Sequence, residues 1–170
     1  MLFAFEETDF EPISRFGLLW RWTSPGHAEL PTQVLNGIRP IAGAKAAMIN
    51  HYAVEWAHAV WPHLGISSEF SFEVRRLDTK QMDDGVVRAW LVSLPVPADE
   101  TVIVSWDART AVTASFAVVA KYWSDFFYPS SDDAVVLPLN VEWMIVWDHH
   151  ESFEFGKALP ESDDRATFQP

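Results

Sequence analysis

Four side chains able to ligate a metal or move a proton stand in one run, Asp148, His149, His150 and Glu151. On an extended segment neighbouring residues point to opposite faces, so this run is not expected to converge on one ion as HExxH does along a helix. Partners from elsewhere would be needed. His51 and His58 do not supply them: seven residues apart on one helix, they are separated by about 10 Å along its axis. The expectation is no bound metal. Paired carboxylates occur at Asp83–Asp84, Asp132–Asp133 and Asp163–Asp164. In so acidic a chain such pairs read first as loop and cap residues, and only second as the acid–base pair of a glycosidase. An enzyme built from Asp132, Asp133, His150 and Glu151 would need the loop after a central helix and the loop before the last strand to meet in space.

Other chemistries lack their parts. The sequence has no Cys, which removes thiol catalysis, disulfides and Cys-ligated zinc. It has no GxSxG elbow, and its seven Gly form neither GxGxxG nor GxxxxGK[ST], so no nucleophilic serine and no cofactor is expected. With 12 Lys plus Arg against 24 Asp plus Glu, the net charge of -12 argues against nucleic acid and against an anionic membrane surface. No apolar stretch approaches the ~20 residues of a spanning helix. The opening MLFAFEETDF resembles no export signal, and the expected location is the cytoplasm.

The elements that must position these groups follow from periodicity. Apolar residues at Ile49, Tyr52, Ala53, Trp56 and Val60 predict a helix over 43–61 ending before Pro62. Val112, Phe116, Val119, Trp123 and Phe126 predict a second over 108–127, capped by Asp107 or Thr110. Trp56 and Trp123, on the apolar faces, are expected to be buried. Alternation at 70–74 predicts a strand, paired through the turn DTKQMDDG with a second at 86–94; further strands are expected at 101–106, 134–137, 142–147 and 152–155, and near the N-terminus at 2–5 and 16–22. The sum is one α+β domain over residues 1–156, two principal helices on one side of a mainly antiparallel sheet, followed by an acidic tail, 157–170, expected to be poorly ordered.

Charge is uneven along the chain. Residues 1–85 hold seven Lys plus Arg against eleven Asp plus Glu, net -4, whereas residues 86–170 hold five against thirteen, net -8. Aromatic residues are interleaved with the acids of the second half, a mixture suited to a basic protein partner, where rings anchor and carboxylates steer. Exposure of the Trp residues separates such a surface, or a sugar-binding module, from an ordinary core.

Residues 106–157 resemble small bacterial immunity proteins that accompany polymorphic toxins, including those of contact-dependent growth inhibition systems. The resemblance rests on Trp106 at a strand end, a helix ending in YW-x-D-F-F-YPSSDD at 122–133, a strand with Trp143, and H-E-x-F-x-FG at 150–156. It implies a non-catalytic cytoplasmic inhibitor, monomer or weak dimer, that binds the C-terminal toxin domain of its own system, often a nuclease with a basic cleft. The expected contacts are Asp132, Asp133, Asp148, His150 and Glu151, with Trp147 as anchor. The alternative is a small acidic enzyme or carbohydrate-binding module using Asp132, Asp133, His150, Glu151 and exposed Trp. YPSSDD is also readable as architecture, Pro129 stopping the helix and Ser130 or Asp132 binding turn amides.

Overall fold

A computed structural model describes residues 3–26, 29–57, 64–71 and 73–159. Seven strands pair antiparallel throughout, in the order β1-β4-β3-β5-β6-β7-β2. They are β1 Arg39–Pro40, β2 Val74–Asp78, β3 Thr101–Asp107, β4 Thr110–Ser115, β5 Ala134–Pro138, β6 Trp143–Asp148 and β7 Ser152–Lys157. The helices are α1 Trp20–Thr23, α2 Thr32–Leu35, α3 Gly43–Ala57, α4 Asp84–Val92, α5 Phe116–Lys121 and α6 Trp123–Phe126. The chain is an α+β protein, as its periodicities predict.

Helices lie on both faces of the sheet rather than on one. Val102, Val104, Val112, Val136, Ile145, Trp147 and Phe153 pack beneath α1, α4, α5 and α6, through Trp22, Leu91, Val119 and Phe126. The alternate positions Ile103, Val135, Leu137, Met144 and Val146 meet α3 through Ala46, Ile49 and Ala53. Burial on both faces explains why β5 and β6 are apolar at nearly every position instead of alternating.

Five expectations fail. Residues 86–94 form no strand but most of α4: Val87, Leu91 and Leu94, spaced four and three apart, are buried, while Val86 and Val92 face solvent. The Asp84–Arg88 ion pair spans one turn of it. The helix expected over 108–127 begins only at Phe116, because Thr110–Ser115 is a strand paired with β3. Its cap is Ser115, whose Oγ accepts from Val118 N at 3.4 Å, and Asp107 instead accepts from Arg109 N at 2.7 Å in the β3–β4 turn. Residues 16–22 are turn and helix; Phe70 lies in a turn before β2; Phe3 forms no strand, but its N–H donates to Leu139 O at 2.9 Å.

Other readings hold with shifted ends. The first helix is α3 as far as Ala57; residues 58–61, like Leu2, Phe72 and the tail from 160, lie outside the described residues. Order continues past 156, since Lys157 closes β7 and Leu159 N donates to Phe70 O at 2.8 Å. Trp56 and Trp123 are half-buried rather than buried.

Candidate functional site

Two loops meet at one end of the sheet. The α6–β5 loop carries Tyr128 to Asp133, and the β6–β7 turn carries His149 to Glu151. Pro129 cannot continue the helix, and Ser130 then takes φ 62°, a left-handed conformation that reverses the chain. Ser130 N donates to His149 O at 3.1 Å, joining the loops through their backbones. His149 N and Nδ1 both reach Asp133 Oδ1, at 2.9 and 2.8 Å. That side-chain hydrogen bond to Asp133 is the main reason the His149 pKa is raised above its ordinary value.

The adjacent carboxylates have different fates. Asp132 turns inward and takes both terminal nitrogens of the buried Arg21, the N–H of Tyr128 at 2.9 Å and the hydroxyl of Ser131 at 3.1 Å. It therefore holds the loop together. Asp133 stays exposed, beside a cavity of about 300 Å³ that Asp107, Arg21 and Trp106 also line.

Asp148 is 1% exposed, accepting from Leu64 N at 2.6 Å through Oδ2 and from His150 N at 2.7 Å through Oδ1. Glu151, at φ 67°, donates its N–H to Asp148 O at 2.8 Å, and its carbonyl accepts from Thr79 N and Oγ1. The chain thus reverses at 149–151 instead of running extended. The divergence expected of consecutive side chains does not occur: Asp148, His149 and His150 each offer a ligand atom within 4.8 Å of the others.

Trp147, expected as an anchor, is 1% exposed and in tilted ring contact with Trp123, Phe127 and Phe153, so it belongs to the core. Among the described Trp residues only Trp20 is exposed, at 44%. Trp20 sits at this same end, its ring 5.6 Å from that of Tyr128 in an edge-on contact. Burial raises the pKa of Tyr128, with the Arg21 guanidinium acting in the opposite direction. Arg21 and Trp20 escaped the sequence reading, since both lie in a segment read as a strand; the one signal was a cation between two Trp.

Comparison of the chain with protein-family models, curated proteins and solved structures found no match. No helix among the described residues is long and apolar enough to cross a membrane.

Proposed function

We propose that this protein is an immunity protein that binds and neutralises a basic toxin domain, and that its contact surface is the sheet end formed by the α6–β5 loop and the β6–β7 turn. The observation that carries the reading is the exposed carboxylate of Asp133 beside the Asp107-lined cavity, in the same loop as Tyr128, whose ring meets the exposed ring of Trp20. Carboxylates on the rim accelerate encounter with a cationic surface, and a Trp supplies the buried contact that holds it. The net charge of -8 in residues 86–170 acts in the same direction. Asp133, His150 and Glu151 are contact residues in this reading, with Trp20 as anchor. Asp132, Asp148 and Trp147 support them from beneath. The protein acts without catalysis, in the cytoplasm, on a toxin domain whose cleft accommodates nucleic acid.

The test is a competition between sibling cells with and without the gene. Its deletion should sensitise cells to toxin-bearing siblings, and unchanged survival would refute the reading. With the purified toxin domain, association should slow as salt shrinks the Debye length from ~10 Å at 0.1 M to ~3 Å at 1 M, and Asp133→Lys should weaken binding without lowering the melting temperature.

A further inference from the structure

We propose that Asp148, His149 and His150 form a surface site for a divalent transition metal, for which Zn2+ is the probe. Among the described residues this is the group of carboxylate and imidazole side chains whose ligand atoms converge, all within 4.8 Å of one another. Tetrahedral zinc with bonds of 2.0–2.1 Å to N and O sets ligand atoms roughly 3.3 Å apart. Closing the difference takes small rotations of two surface imidazoles, whose ring centroids already lie 4.1 Å apart.

The surroundings hold Asp148 and the backbone of the turn in place. Asp148 is buried, and each of its oxygens accepts one backbone N–H, from His150 or from Leu64, leaving a second lone pair for a metal. Asp133 Oδ1 engages His149 Nδ1 at 2.8 Å. If Nδ1 carries the proton, it donates to Asp133 and Nε2 carries the lone pair that would face a metal, the pairing of carboxylate and histidine found behind metal ligands. The backbone bond from Ser130 N to His149 O ties the turn to the loop that presents Asp133. The turn uses the Asp148 carboxylate for the His150 amide, but it does not need two adjacent imidazoles beside that carboxylate. Three protein ligands leave a fourth position open to water or to a side chain from another molecule.

Metal binding here does not depend on the toxin reading, and its assay contains no partner. The full chain, stripped with chelator, is titrated with ZnCl2 in competition with a chromophoric chelator. One equivalent should bind, at micromolar dissociation constant or tighter. His149→Ala and His150→Ala should each weaken it at least tenfold, and Asp133→Asn about 10- to 100-fold through the orienting hydrogen bond. His51→Ala, on α3, should leave it unchanged. Absence of stoichiometric binding, or binding that survives loss of both His149 and His150, overturns the proposal. The wild-type histidine ring resonances give a readout that needs no variant: added Zn2+ must perturb those of His149 and His150, and unperturbed signals overturn it equally.

Discussion

Arg21 and Asp132, 111 residues apart in sequence, close a two-pronged ion pair in which Arg21 is 5% and Asp132 8% exposed. The pair ties α1 to the loop after α6, and the same guanidinium lies 4.2 Å from the centre of the Tyr128 ring. Removing one partner of such a pair leaves the other charge buried without its counter-ion. Asp132→Ala should therefore cost about 3–5 kcal/mol in denaturant melts. Asp133→Ala, one residue along, breaks two exposed contacts with His149, to its backbone N–H and to its ring, and should cost under about 1 kcal/mol. Equal losses at the two positions would show that the inward and outward roles of this acidic pair are misassigned.

That contrast marks what the sequence could and could not disclose. The helix α3 and the strands β5, β6 and β7 were legible because each is a sustained period or an unbroken apolar run between turn residues. The helix α4 was not, because Val86 and Val92 are apolar yet exposed, which blurs its spacing into that of a strand. For β4 the failure was a coincidence of register. Val112, Phe116, Val119 and Trp123 keep helical spacing across the junction at Ser115, although Val112 belongs to a strand paired with Val104. At the site, DHHE and YPSSDD stood out as polar, but which carboxylate points inward depends on Arg21. No local pattern near Asp132 announces a cation so distant in the chain.

Trp147 and Trp20 should separate core from surface. Trp147 is in contact with Trp123, Phe127 and Phe153, with ring centroids as near as 4.6 Å. Trp147→Ala should cost about 3–5 kcal/mol, the range for a large aromatic removed from a core. Trp20→Ala, at 44% exposure, should cost far less and, under the proposed function, should instead weaken binding to the toxin domain. Guanidinium melts of both variants check the first statement, and affinity for the purified toxin domain checks the second.

Tyr128 should titrate late. Burial raises its pKa above the ordinary value of 10.0, against the opposing effect of Arg21. A folded pKa above the unfolded one means that the folded state holds the proton longer. Stability is then complete below the unfolded pKa and falls as pH rises from there through the folded pKa. The difference between ultraviolet titrations of the wild type and Tyr128→Phe isolates this phenol. A midpoint at or below 10 would remove the burial argument, and a smaller alkaline loss of stability in Tyr128→Phe would support it.

Gly156, the last residue of the H-E-x-F-x-FG pattern, is set by packing rather than by backbone conformation. A Cβ added there would lie 2.8 Å from Ser71 Cβ, 3.0 Å from Ser71 Oγ and 3.3 Å from Ile66 Cδ1. These atoms belong to the segment before β2, which crosses close over β7, and a strand glycine commonly marks such an approach. Gly156→Ala should therefore cost about 1–3 kcal/mol, as overpacking does. Ser71→Gly removes the two nearest atoms, so in the double variant part of that loss should return, and a double-mutant cycle in urea measures the coupling. A Gly156→Ala effect within about 0.5 kcal/mol of zero, the size of an ordinary surface change, would mean that the crossing segment yields. If the loss is found while the folded fraction binds the toxin domain proposed as its partner with unchanged affinity, Gly156 holds the β7 crossing and plays no part in recognition.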